Sequence, residues 1–243
     1  MRFGMKSHKG MVREINEDFC DVVIGSSLMK AAFIIADGMG GHNAGEVASK
    51  MAVEYISEKI KENEKDFTED SVSDFLKNII KETNGIIYEK SRIPGPFLGM
   101  GTTLIIAIFL CENLYLGHVG DSRVYMIRNG EIKQLTTDHS YVEELVKNGS
   151  LSRTEAERHP QKNIITRAVG CFESVEADIC TYEVYQDDIF ILCTDGLTNM
   201  LTDDRILEIT VKHEDPQYAC AELINEANKN GGEDNITVII IRT

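Results

Sequence analysis

No two cysteines stand in a CxxC spacing and no two histidines in an HxxxH spacing, so nothing in the chain points to a zinc site of either kind. The six cysteines, Cys20, Cys111, Cys171, Cys180, Cys193 and Cys220, are scattered and mostly flanked by apolar residues, as reduced structural thiols are. The longest apolar run, LIIAIFLC, is too short to span a bilayer, and the opening MRFGMKSHKG lacks the apolar segment of a secretion signal. A cytoplasmic protein without membrane insertion is expected. Positive charge is scarce too: 25 Lys and Arg face 40 Asp and Glu, a net charge of −15 with no basic stripe. Such a field repels nucleic acid and anionic lipid alike. Repeats and linkers are also missing, so 243 residues, 42% apolar and 27% charged, read as one domain able to bury roughly 70–75% of its unfolded surface.

What is present is short apolar runs punctuated by turn residues. FCDVVIG and MKAAFIIADG read as strands that stop at glycine. Val47, Ala48, Met51 and Tyr55 share one helical face, and Val72, Phe75, Leu76, Ile79, Ile80, Thr83 and Ile87 share another, which predicts a helix pair over one sheet. After the break at IPGPFLGMG come four consecutive antiparallel strands, TTLIIAIFL, NLYLGHVG, SRVYMIR and EIKQLTT, the last two joined at Asn129-Gly130. From Ser140 to Gly170 the texture turns polar, with short helical patterns in SYVEELVKNG and SRTEAERH, and predicts a flap subdomain at about 140–170. Strands resume at ADICTYEVY and DIFILCTDG, helices at DDRILEITVKH and YACAELINEANKNGG, and NITVIIIRT closes the chain as a strand. Elements grouped in blocks predict an α+β fold with antiparallel sheets and helices outside.

Four aspartates share a context at the ends of apolar strands: Asp18 in NEDFCDVV, Asp37 in FIIADGMGGH, Asp195 in FILCTDGL and Asp234 in GGEDNITVIII. An Asp-Gly after a strand is by itself most often a turn. Together the four offer all-oxygen ligands on rigid supports, with glycines that let backbone approach, which suits Mg²⁺ or Mn²⁺. Two such ions roughly 3.5–4 Å apart could share a hydroxide and neutralise phosphoryl oxygens during in-line attack. They would also make an acidic protein locally attractive to a phosphate dianion.

The blocks GMVREINEDF, FIIADGMGGHNAGE, MGTTL, GHVGDSRVY, LTTDHS, ITRAVG, LCTDGLTN and GGEDNITVI, in this order along the whole chain, resemble the PPM family of type 2C metal-dependent Ser/Thr protein phosphatases, in its compact bacterial form. The resemblance implies two antiparallel β-sheets packed as a sandwich, helices on both outer faces, and a metal channel at one end. It implies hydrolysis of phosphoserine and phosphothreonine by a hydroxide bridging two Mn²⁺ or Mg²⁺ ions. Asp37 would bridge the two, Asp37 and the Gly38 carbonyl would bind one, and Asp195 with Asp234 the other. Glu17 and Asp18 would act through water, Asn235 would support that shell, Arg13 would grip the phosphate, and Asp121 with Asp195 would bind a third, weaker ion. The implied partners are phosphorylated proteins and a cognate Ser/Thr kinase, met by a monomer.

Two positions depart from the family pattern. Met39 stands where many eukaryotic members carry a histidine proposed as general acid, which turns attention to His42 three residues on. Asn199 stands where some relatives carry a carboxylate for the third ion. The same resemblance admits a phosphatase dedicated to a phosphorylated regulator such as an anti-sigma-factor antagonist, and a pseudophosphatase serving as a binding module. Intact Asp37, Asp195 and Asp234 speak against the latter. A metal-dependent nuclease would use similar ions, but the acidic surface disfavours it.

Overall fold

In the stretch Met29–Met39, Ala31, Phe33 and Ile35 point one way and Ala32, Ile34 and Ala36 the other, and all six are buried. A strand covered on both faces lies between two layers. The computed structural model describes residues 1–26, 28–40, 44–157 and 159–243. Its strands, in chain order, are β1 (Arg2–His8), β2 (Asp18–Ile24), β3 (Met29–Met39), β4 (Gly101–Thr102), β5 (Leu104–Leu110) and β6 (Asn113–Val119). They continue with β7 (Arg123–Arg128), β8 (Glu131–Gln134), β9 (Asp178–Glu183), β10 (Ile189–Cys193) and β11 (Ile236–Arg242). The helices are α1 (Gly45–Asn63), α2 (Val72–Ser91), α3 (Tyr141–Lys147), α4 (Arg153–Glu157), α5 (Asp195–Thr198), α6 (Asp203–Lys212) and α7 (Pro216–Lys229).

The strands form two antiparallel sheets, ordered β1-β11-β10-β7-β8 and β2-β3-β5-β6-β9, with β4 paired to β3. One parity of each strand faces the other sheet: Phe33, Ile35, Ile105, Phe109, Phe190, Leu192 and Ile239 meet there. Four rings cross this interior edge to face, Phe3 to Phe33, Phe33 to Phe109 and Phe109 to Phe190, with centroids 5.3, 5.8 and 5.4 Å apart. The opposite parity faces helices. Ala32, Ile34 and Ile106 pack under α1 and α2, and Ile191, Val238 and Ile240 under α6 and α7. The expected α+β sandwich with helices on both outer faces is therefore what the chain adopts.

Local chemistry sets the element ends. Asn129 and Gly130 both take positive φ, 55° and 80°, the geometry of a two-residue hairpin turn, and join β7 to β8. Thr202 and Asp215 cap α6 and α7 with side-chain oxygens, and Pro216 opens α7. Between β8 and β9 the chain leaves the sheet through α3 and α4, and a bridge between Ser140 and Ile165 closes the root of this excursion. All six cysteines are free, and among the described residues no helix is long and apolar enough to cross a membrane.

Two expectations need correction. β3 does not stop at Asp37-Gly38: it runs on to Met39 because Gly38 and Met39 find partners in Thr102 and Gly101 of β4. Asp37 is thus a strand residue, not a turn residue. The segment Arg2–His8, read from sequence as no element, is a strand, held as a sheet edge by full antiparallel pairing with β11.

Candidate metal centre

The stripe Ala31, Phe33, Ile35 on β3 continues, two residues on, to Asp37, so the pleat that buries the phenyl ring also delivers a carboxylate to the space between the sheets. β2 pairs in register with β3 so that Asp18 lies directly opposite Asp37, on the same face. The other inward stripes turn polar at the same end. Thr103 follows the parity of Ile105, Thr194 that of Phe190 and Leu192, and Thr237 that of Ile239, and all three threonines are fully buried. One end of an apolar sandwich interior is therefore lined by hydroxyls and carboxylates.

The hydroxyls fix the carboxylates. Thr194 and Thr237 both donate to Asp18 Oδ2, at 2.9 and 2.6 Å. Asp37 N–H donates to Thr103 Oγ1 at 2.9 Å, while Thr102 Oγ1 and Thr103 N–H both donate to the Asp37 carbonyl at 2.9 Å. Thr103 Oγ1 also bonds Ser122 Oγ at 2.8 Å, next to Asp121. Asp195 opens α5 just past β10, where Asn199 Nδ2 donates to its Oδ2 at 3.0 Å. Sequence reasoning missed these hydroxyls. The signal that finds Thr103, Thr194 and Thr237 is parity: each continues the inward stripe of its neighbouring strand residues.

Like charges converge here. Burial pushes the Asp37 carboxyl well above its ordinary range, and the neighbouring carboxylates of Asp18, Asp195, Asp121 and Asp234 push it further. Burial raises Asp18 to about 7 against the pull of its two threonines, and burial with Asp234 raises Asp195 to about 6. Asp121 is raised by burial and by Asp195, and Glu17 chiefly by burial. Asp18 Oδ1 and Asp121 Oδ1 are buried with no hydrogen-bond partner among the described residues. Orphaned anionic oxygens in a crowd of carboxylates are what a hard cation satisfies. The residues fit Mg²⁺ or Mn²⁺.

The remaining residues expected at the site surround this cluster. Arg13 Nη2 donates to Asp234 Oδ2 at 2.8 Å, and the guanidinium is half-exposed with no other hydrogen bond among the described residues. Asn235 ties down the loop that carries Arg13 and Glu17: its Oδ1 accepts from Glu17 N–H at 2.8 Å, and its Nδ2 donates to the Lys9 and Ile15 carbonyls, each at 2.9 Å. Gly38 N–H donates to the Glu17 carbonyl at 3.1 Å. A Cβ on Gly45 would lie 2.6 Å from Glu17 Oε1 and 2.8 Å from the Gly38 carbonyl oxygen, so only glycine at the start of α1 leaves room for these two oxygens to approach each other. Met39 continues β3 beside them, and His42 lies outside the described residues.

Asn199 does not offer its carbonyl to the cluster. Its amide nitrogen faces Asp195, and its Oδ1 accepts from Lys162 Nζ at 3.0 Å, a link to the excursion between β8 and β9. A cleft of about 780 Å³ opens between that excursion and α6, with Asp121 and Asp195 at one end and Arg153, Lys162 and Asp204 along its walls. His118 sits within β6, outside the carboxylate cluster, its ring stacked at 4.8 Å on that of His139.

Comparison with known proteins places the chain in a family. A profile of the family described as protein phosphatase 2C matches residues 7–229. The serine/threonine phosphatase stp of Listeria monocytogenes is 39% identical over 99% of this chain and 95% of its own. The solved Streptococcus agalactiae serine/threonine phosphatase superposes with a TM-score of 0.94 at 37% identity, covering 100% of this chain and 99% of that one. The catalytic domain of the serine/threonine phosphatase PstP, solved with two manganese ions, gives a TM-score of 0.84 at 33% identity over 98% of this chain and 96% of that one.

Proposed function

Since the chain belongs to the protein phosphatase 2C family and is a serine/threonine phosphoprotein phosphatase, we propose that its converging aspartates hold two divalent ions, Mn²⁺ or Mg²⁺, for the hydrolysis of phosphoserine and phosphothreonine. The observation that carries this reading is the convergence of Asp18, Asp121, Asp195 and Asp234 on Asp37. Ions bound there would lower the pKa of water and offset the charge of phosphoryl oxygens.

The chain's own residues then divide the work. Asp37, central in the cluster, would be the carboxylate shared by the two ions. The Gly38 carbonyl would join Asp37 in holding one ion, and Asp195 and Asp234 would hold the other. Glu17 and Asp18 act one water further out: Asp18 has one oxygen committed to two threonines and the other left to accept. Asn235 keeps the loop of Arg13 and Glu17 against Asp234. Arg13 is anchored on Asp234 by one nitrogen and presents its remaining N–H donors to the substrate phosphate. Asp121 and Asp195 would hold a third, weaker ion, to which the Asn199 amide, turned by Lys162, would contribute no oxygen. Met39 has no proton to donate, so protonation of the seryl oxygen falls to another group. The stretch 140–170 is read as a flap, and its Arg153 and Lys162 wall the cleft that holds Asp121 and Asp195.

In the cell the substrates are phosphorylated proteins, in keeping with a relative named serine/threonine phosphatase, and the opposing enzyme would be a Ser/Thr kinase. Mn²⁺-dependent release of inorganic phosphate from a phosphothreonine peptide and from p-nitrophenyl phosphate is the expected result. Folded protein that turns over neither at millimolar Mn²⁺ refutes the reading. Arg13→Ala is expected to raise KM for the phosphopeptide about tenfold, the cost of a lost charge-assisted hydrogen bond, with a smaller change in kcat. Steady-state kinetics decide it, and an unchanged KM would remove Arg13 from the phosphate.

A further inference from the structure

We infer that His139 is a positioning residue that holds Asp121 in place for the third ion and joins that carboxylate to both roots of the flap. The inference rests on the reading of Asp121 as a ligand. His139 is buried at the start of the excursion that follows β8, and it grips one residue, Gly120, twice. Its backbone N–H donates to the Gly120 carbonyl at 2.8 Å, and its Nδ1 accepts from the Gly120 N–H at 3.0 Å. The Gly120 carbonyl belongs to the peptide unit that carries the Asp121 nitrogen, so both peptide planes leading into Asp121 are fixed by one histidine. Gly120 itself takes φ +112°, and a Cβ there would lie 2.6 Å from Thr103, the residue that bonds Asp37 and Ser122. A residue with a side chain does not fit there.

The rest of the ring reaches the far root of the flap. Because Nδ1 accepts, the neutral ring carries its proton on Nε2, which donates to Asp178 Oδ2 at 3.2 Å. Asp178 lies opposite His118 across the β6–β9 ladder and also receives Arg167 Nη1 at 3.2 Å, while the His139 carbonyl accepts from Thr166 N–H at 2.8 Å. His118, His139 and Asp178 bring one potential ligand atom each within 4.8 Å of one another, a spacing that could suit a cation. The one in-plane lone pair of the neutral His139 ring, on Nδ1, is already taken by the Gly120 N–H, so this ring has none left for a cation. His139 and Asp178 form a hydrogen-bonded brace, and its output is the placement of Asp121.

Asparagine separates bracing of Asp121 from general support of the flap, because its Oδ1 overlays histidine Nδ1 and can still accept from Gly120 while nothing reaches Asp178. Titrating Mn²⁺ into metal-stripped full-length protein by calorimetry, with thermal melts beside it, reads the ions apart from the fold. Wild-type should take two tighter ions and a weaker third. His139→Ala should weaken the third about tenfold and leave the two tighter ions within about twofold, as outer partners of ligands do. His139→Asn should restore the third to within about threefold of wild-type. Should the alanine variant fail to fold, His139→Gln, which fills the space but does not reach Gly120, takes its place. A third ion bound equally well by the alanine or glutamine variant, or an asparagine variant no better than either, overturns the positioning role alone. A wild-type protein that takes only two ions overturns the Asp121 reading along with it.

Discussion

Asp37→Asn is expected to lower kcat on a phosphothreonine peptide by about 10³-fold or more, the scale on which an enzyme loses its main electrostatic support, while the protein stays folded. The backbone of Asp37 is held by Thr102 and Thr103 without help from its carboxylate, and asparagine has the same shape. What changes is charge. The substitution removes one of five crowded carboxylates, so in the absence of divalent ions the variant should melt no lower than wild-type, and higher if the repulsion is felt in the folded state. Added Mn²⁺ should raise the wild-type melting temperature in a concentration-dependent way, as any ligand of the native state does. It should raise that of the variant far less. Activity retained within tenfold, or an undiminished response to Mn²⁺, would remove Asp37 from the bridging position.

Phe33→Ala should produce the largest loss of stability, about 3–5 kcal/mol, because it deletes a fully buried ring from the middle of the aromatic row that crosses the sandwich. Phe3 and Phe109 both pack on it edge to face, and neither has a second ring to turn to on that side. For a chain of 243 residues this corresponds to a melting-temperature drop of about 10 °C. The urea midpoint should fall with little change in slope. Phe33 lies four residues before Asp37 on the same stripe, so surviving folded molecules should keep most of their kcat, which separates loss of packing from loss of chemistry. A stability loss under about 1 kcal/mol would mean that the two sheets are held together elsewhere.

Much of this was legible because it is written in periods of two and three to four. The apolar faces of Val47 to Tyr55 and Val72 to Ile87 became α1 and α2 over one sheet, and the Asn129-Gly130 pair became the hairpin turn between β7 and β8. The aspartates at strand ends came together, and the family resemblance assigned their order. Other features depend on partners far along the chain. β1 has weak alternation around Gly4 and Lys6 and exists because β11 offers a matching edge. β3 outruns its Asp-Gly because β4, more than sixty residues later, supplies hydrogen bonds. The brace of His139 needs three distant segments in register, and a lone histidine in LTTDHS carries no trace of Gly120 or Asp178.

The in-register facing of Asp18 and Asp37 also limits how this chain can vary by descent. Side chains on a strand alternate with a period of two, so losing or gaining one codon within β2 would turn Asp18 outward and bring Phe19 or its neighbour into the site. Substitutions along β2 and β3 can be absorbed one at a time, as residues of similar volume replace one another in the interior. Changes of length there cannot. Insertions and deletions should therefore accumulate in the excursion beyond Ser140–Ile165, whose closed root isolates it from the register of the sheets, while the distance from Asp18 to the turn before β3 is inherited unchanged.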